Sequence, residues 1–136
     1  MRDPLVHYPG YSLRRAATAA GAELAARLAE IELRQVDASV LMLVEENPHV
    51  TASAVGRQLD IQRANMVPLL KRLEDAGDIR RIPIDGKSQG LELTARGTAH
   101  LAEAKVIIME FEQKLLKRIP AQHREHLLPA LEAIWR

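Results

Sequence analysis

A glutamine, an arginine and an asparagine lie within four positions at Gln62, Arg63 and Asn65, with Met66 beside them and Lys71 and Arg72 two turns on. The amide and guanidinium groups can each make paired hydrogen bonds to the edge of a purine. A good pair of this kind discriminates its base by about 1–3 kcal/mol. Downstream, Arg80, Arg81 and Lys87 bracket an Asp85-Gly86 turn signal, where basic groups can reach phosphates or a narrow minor groove. Upstream, Thr51, Ser53 and Arg57 offer hydroxyls and a further cation. Such residue types in this order fit duplex DNA. They also fit a solvated helix face, because Asp60, Glu74, Asp75, Asp78 and Asp85 are interspersed and keep the stretch mildly basic.

Two other clusters carry chemistry. His7, Tyr8, Tyr11, Arg14 and Arg15 combine aromatic rings with guanidinium groups that suit a carboxylate or phosphate, though the same residues can simply pack and solvate an N-terminal arm. His123 and His126 stand three apart, a zinc-compatible spacing, but no third or fourth ligand is evident and no metal is expected. His49 and His100 are isolated and read as structural or surface groups. No phosphate loop, nucleophile elbow or spaced His/carboxylate pattern is present, so neither enzyme activity nor a cofactor is expected.

The elements that must position these groups follow from periodicity. Leu13, Ala17, Ala20, Leu24, Leu28 and Ile31 form one stripe of a long first helix, assigned to residues 11–34. A second helix covers Val36 to Glu46 and stops at Asn47-Pro48. Thr51 caps a short third helix, Ala52 to Leu59, and Asp60-Ile61 makes a turn. A fourth helix runs from Arg63 to Ala76 with Val67, Leu70 and Leu73 inward, so that Gln62, Arg63, Asn65, Met66, Lys71 and Arg72 face outward; Gly77 ends it. Pro68 predicts a kink or a loosened first turn there, and Gln62 is a mediocre cap. Ile79–Ile82 and Gly90–Leu93 read as a hairpin. Thr94 then caps a helix from Ala95 to Arg118, Pro120 breaks it, and a last helix spans Gln122 to Trp135.

This order is that of a winged helix-turn-helix, which sets its second helix in a major groove. The fold class expected is mainly α with a small β-hairpin wing, flanked by long N- and C-terminal dimerisation helices. Residues 1–136 read as a single domain: 11–34 and 98–136 dimerise, and 35–97 form the winged helix-turn-helix. The first helix and the last two carry wider apolar faces than the central block needs, which favours a homodimer.

Composition is consistent with this. The chain has 136 residues, a net charge of +1 and no cysteine, so a basic footprint must be local and a thiol switch is excluded. No stretch reaches the roughly 18 consecutive apolar residues of a membrane span, and the first residues lack a signal pattern. The expectation is a cytoplasmic protein without a membrane role.

The run Val55–Ile61 followed by Asn65–Ile79 resembles the recognition segment of the MarR family of transcriptional regulators. Asp85-Gly86-Lys87-Ser88, then Leu93-Thr94-Ala95-Arg96-Gly97, is similar to that family's wing and the helix start after it, and Pro9-Gly10-Tyr11-Ser12-Leu13-Arg14-Arg15-Ala16 recurs among its members. The resemblance covers nearly the whole chain. It implies a homodimeric, ligand-responsive repressor on a pseudo-palindromic operator, with Thr51, Ser53, Arg57, Gln62, Arg63, Asn65, Met66, Lys71, Arg72, Arg81, Lys87 and Ser88 toward double-stranded DNA. It also implies a small aromatic acid or its thioester as effector, near His7, Tyr8, Tyr11, Arg14 and Arg15. The chain departs from the family where Lys87 holds the place of the wing's Asp-x-Arg arginine, since lysine is the more hydrated charge. Two other readings stay open: a winged-helix module that binds protein without DNA, and a DNA-binding architectural protein without an effector.

Overall fold

The computed structural model describes all 136 residues. Six α-helices and one hairpin follow in the order α1 (Pro9–Ala29), α2 (Gln35–Glu46), α3 (Ala52–Gln58), α4 (Arg63–Asp75), β1 (Ile79–Pro83), β2 (Gln89–Leu93), α5 (Ala95–Arg118) and α6 (Arg124–Trp135). A short 3-10 turn, Pro4–His7, precedes α1, and another, Ala121–His123, precedes α6. The chain divides into two compact units: residues 1–24 with 106–136, and residues 25–105. No helix is long and apolar enough to cross a membrane.

The unit of residues 25–105 holds the core. Leu41, Leu70, Leu73, Leu91 and Leu101 are almost fully enclosed, joined by Val40, Val44, Val55 and Met66. The hairpin is antiparallel, with Ile79 opposite Leu93 and Arg81 opposite Leu91. Its second strand also docks on the chain before α3, as Leu91 N–H donates to the Val50 carbonyl at 2.8 Å. The unit of residues 1–24 and 106–136 is different: Ile107 and Phe111 are its two buried side chains, and α6 has none.

Three helix ends close in the same way. After α1, Glu32 takes a φ of 60°, and Leu33 N–H reaches back to the Leu28 carbonyl at 3.1 Å. After α3, Asp60 has a φ of 53° while Ile61 N–H donates to the Gly56 carbonyl at 2.8 Å. After α4, Gly77 has a φ of 81°, and Asp78 N–H donates to the Leu73 carbonyl at 3.0 Å. Each is a Schellman closure that turns the chain sharply and satisfies terminal carbonyls. The expected glycine does this after α4, whereas glutamate and aspartate do it elsewhere. Thus the first helix stops at Ala29 rather than continuing to residue 34. It also begins two residues earlier than Tyr11, because Pro9 suits the first helical position.

The face of α4 is rotated from the expected one. Met66 is 3% exposed and Val67 is 59% exposed, so Met66, Leu69, Leu70 and Leu73 form the inward stripe. Met66 is therefore not an outward base-contacting residue, and Val67 is not a core residue. Gly56 explains the choice: its missing side chain leaves a space where a Cβ would lie 3.1 Å from Met66 Cγ, and the flexible thioether fills it. Pro68 does not break α4, which runs unbroken from Arg63 to Asp75. The N–H groups of Asn65 and Met66 both return to the Gln62 carbonyl, at 2.9 and 3.1 Å, so the first turn is closed. Ala64, whose carbonyl Pro68 leaves unmatched, is exposed and open to water.

Candidate nucleic-acid interface

α3, the Asp60-Ile61 turn and α4 form the helix-turn-helix, and β1 runs beside it. Thr51 caps α3 by accepting from Ala54 N–H at 3.2 Å, as its position predicts. Gln62 precedes α4 without a capping side-chain bond, which leaves its amide free. A cavity of about 520 Å³ opens between α3, α4 and β1. Ser53, Arg57, Gln62, Arg63 and Arg81 line it, and the buried Met66 contributes to its wall. The structure thus brings six of the expected DNA-facing residues to one groove. Thr51, Asn65, Lys71, Arg72, Lys87 and Ser88 lie outside that lining.

The cations of α3, α4 and the hairpin fall into two groups. Arg57, Arg63 and Lys87 are exposed and carry no ion pair. The remaining cations of α4 and the hairpin are paired. Lys71 Nζ lies 3.1 Å from Asp75 one turn away, and Arg81 Nε donates to Glu74 at 2.7 Å. Arg80 Nε donates to Glu92 across the hairpin at 2.8 Å. Arg72 donates to the buried Asp37 of α2, which also accepts from Arg34 N–H at 2.8 Å. Arg72 therefore clamps α4 to α2 rather than standing ready for phosphate. The acids that made the stretch look mildly basic are thus mostly committed to particular cations.

The wing tip is organised by Asp85. Its carboxylate accepts from the N–H groups of Lys87 and Ser88 at 2.8 and 2.7 Å, which holds its pKa below the ordinary carboxylate value. Lys87 and Ser88 are placed at the tip by these backbone bonds, and the lysine side chain extends from a fixed turn.

In the other unit, Arg14 and Arg15 lie over the Tyr11 ring, 5.5 and 5.8 Å from its centre, and Arg15 donates to the Tyr11 hydroxyl at 3.0 Å. His7 ends the short 3-10 turn, and His7 and Tyr8 are exposed. Residue pairing missed by the sequence includes Asp37 with Arg72, Glu74 with Arg81, and a contact of His100 with Asp78. Only the second has a local signal, an acid seven residues before a base.

No family model matches the chain. Comparison with solved structures does find relatives. The transcriptional repressor CouR bound to a 23-mer DNA duplex is 31% identical, with a TM-score of 0.92 over 100% of this chain and 99% of that one. The chain belongs to the MarR family of transcriptional regulators. CouR bound to p-coumaroyl-CoA superposes with a TM-score of 0.89 at the same 31% identity, covering 100% of this chain and 97% of that one. The MarR family protein Rv2887 in complex with salicylic acid has a TM-score of 0.74 at 26% identity, covering 93% of this chain and 96% of that one. Among curated proteins, the HTH-type transcriptional repressor Rv2887 of Mycobacterium tuberculosis is 26% identical over 127 residues, which is 92% of this chain and 91% of that protein.

Glu74 sets a carboxylate against the wing arginine Arg81, 2.7 Å away. Replacing it by glutamine should loosen the hold on Arg81 and remove a negative charge beside the groove. The expected result of Glu74→Gln is several-fold tighter binding to any duplex, with a steeper dependence on salt. Unchanged affinity and slope in a retardation titration would show that Arg81 does not approach the phosphates.

Proposed function

We propose that this MarR-family chain is a ligand-responsive repressor that binds double-stranded DNA as a homodimer on a pseudo-palindromic operator. The carrying observation is the groove of the helix-turn-helix, where exposed Gln62 and Arg63 stand at the start of α4 beside the unpaired cation Arg57, with exposed Asn65 next to the groove on the same turn. In this reading Gln62, Arg63 and Asn65 address base edges. Thr51, Ser53 and Arg57 meet the backbone, together with Lys71, and the wing adds Arg81, Lys87 and Ser88. CouR on its 23-mer duplex supports that use of the fold.

The dimer is supported by the unit of residues 1–24 and 106–136. A helical unit with two buried side chains, and with Leu128, Ile134 and Trp135 all exposed, has an apolar face in need of a partner. Residues 11–34 and 98–136 therefore serve dimerisation and 35–97 bind DNA, within a single functional domain. Symmetry sets the two α4 helices about 34–36 Å apart, one turn of DNA. The effector is a small aromatic acid or its thioester, as with the p-coumaroyl-CoA bound to CouR and the salicylic acid bound to Rv2887. Tyr11, Arg14 and Arg15, with His7 and Tyr8, supply ring and guanidinium chemistry for such a ligand. The protein works in the cytoplasm and is not an enzyme.

The test is retardation of a palindromic duplex over a range of salt. Arg63→Ala should weaken operator binding by about 1–3 kcal/mol, roughly fivefold to 150-fold, and relax specificity at one base position. Lys87→Ala should instead weaken binding to all sequences and lower the salt slope by about one unit. If both variants bind as the parent does, the chain is a protein-interaction module.

A further inference from the structure

His100 links three elements of the unit of residues 25–105. Its Nε2 lies 2.6 Å from the carbonyl oxygen of Ile31, and its Nδ1 lies 2.8 Å from Asp78 Oδ2. Ile31 sits in the turn that closes α1, just before Glu32 with its positive φ, and its carbonyl is one of those a helix end leaves without an internal partner. Asp78 is the residue between Gly77 and β1, where the wing begins. It is 1% exposed, and its own backbone carbonyl accepts from Thr94 N–H at 3.1 Å.

Both neighbours of the ring are acceptors. A carbonyl has no proton to give. Asp78 faces the ring with a carboxylate oxygen, while its Oδ1, which accepts no hydrogen bond, has Arg96 Nε 3.5 Å away. Each ring nitrogen must therefore donate, and only the imidazolium has two N–H groups. The terminal turn of α1 adds to this, since a helix C-terminus favours a nearby cation. We propose that His100 is a positioning residue for the wing: a protonated link that fastens the wing root to the end of α1 and opens when its proton is lost.

Burial of the ring opposes its charge. The bonds to Ile31 and Asp78, with the charges of Asp78 and Glu103, outweigh that, so the pKa lies above the ordinary histidine value. The charged groups around the ring are Asp78 from the wing root, and Glu103 and, across Asp78, Arg96 from α5. The end of α1 presents the carbonyl, and its flanking Glu30 and Glu32 are exposed. On deprotonation the proton passes to solvent. The remaining N–H stays with the carboxylate, and the Nε2 lone pair then faces the Ile31 oxygen at 2.6 Å, so that contact must separate. A raised folded-state pKa contributes stability that is complete below the unfolded value of about 6.5 and is lost as pH rises through the folded value.

The last readout rests on the DNA-binding reading; the first two do not. In the full chain, the His100 ring followed by NMR should titrate above free histidine. The melting temperature should fall as pH rises from 6 to 9. In the double variant Asp78→Leu, His100→Leu an apolar pair replaces the buried ionic one, a change that folds often accept. That variant should melt without the same slope, and His100→Gln should likewise flatten it. Operator affinity of the parent should fall several-fold over the same interval and that of the variants should not. A His100 titration at or below the free value, or an equal slope in parent and variants, overturns the link. Absence of duplex binding at every pH, with the stability slope present, overturns the DNA-binding reading and leaves the link standing as a property of the fold.

Discussion

Gly97→Ala should cost the protein about 3 kcal/mol and lower its melting temperature by roughly 10 °C, with loss of DNA binding. A Cβ at position 97 would lie 1.9 Å from the Asp78 carbonyl oxygen and 2.8 Å from its carbon. Both are backbone atoms, so no rotamer change relieves the clash, and the wing root must withdraw from α5. Its attachments go with it. Thr94 Oγ1 donates to the Gly77 carbonyl while accepting from Gly97 N–H at 2.9 Å, and Thr94 N–H donates to Asp78. The side-chain bond from His100 to Asp78 lies in the same place. One methyl thus opposes a helix cap, a turn closure and a buried carboxylate. Gly86→Ala is the control, because a Cβ there meets nothing within 4 Å, and it should melt within about 0.5 kcal/mol of the parent. Thermal unfolding by circular dichroism compares the two, and a Gly97→Ala protein that melts with the control would refute the packing account.

That geometry also explains why the Leu93-Thr94-Ala95-Arg96-Gly97 stretch is informative as sequence. Threonine supplies a cap with a second bond outward, and glycine three residues later admits the chain of the wing root. Local signals of this kind were readable: Thr51 as a cap, Gly77 as a left-handed helix end, the Asp85 turn, and α5 from Ala95 to Arg118. What stayed hidden needed the third dimension. Met66 and Val67 are adjacent apolar residues, and either can begin a stripe through Leu70 and Leu73. The space beside Gly56, ten residues earlier, decides for methionine. The left-handed turns at Glu32 and Asp60 lack the glycine that would announce them. Arg72 was assigned to DNA because its partner, Asp37, stands 35 positions away, and His100 looked isolated because Asp78 and Ile31 are distant in the chain. For a surface that reads DNA, such pairings matter more than residue counts. They leave Arg57, Arg63 and Lys87 as the cations of α3, α4 and the wing that carry no ion pair within the chain, whereas Lys71 and Arg81 must exchange a carboxylate for a phosphate.

Leu128→Glu should convert the proposed dimer to a monomer and weaken operator binding by about a hundredfold or more, since the second half-site is then no longer reached at high effective concentration. Leu128 is 65% exposed on α6, a helix with no buried residue in the single chain. Its replacement therefore costs the isolated fold little, and the effect falls on association. Leu128, Leu131 and Trp135 recur at helical spacing, so the carboxylate enters the apolar face. In a two-fold interface the change is made twice. Each copy forfeits the roughly 1.5–3 kcal/mol that burying a leucine contributes, and adds an unpaired charge to be desolvated. Trp135, the sole tryptophan, lies on the same helix and reports the change by its fluorescence, which should shift red as water reaches the ring. Mass by light scattering and half-site against full-site retardation complete the measurement. The variant should bind a half-site as the parent's single unit does and gain nothing from the second. A variant that keeps its dimer mass and full-site affinity would place the interface elsewhere than α6, even while Arg63→Ala still weakened binding.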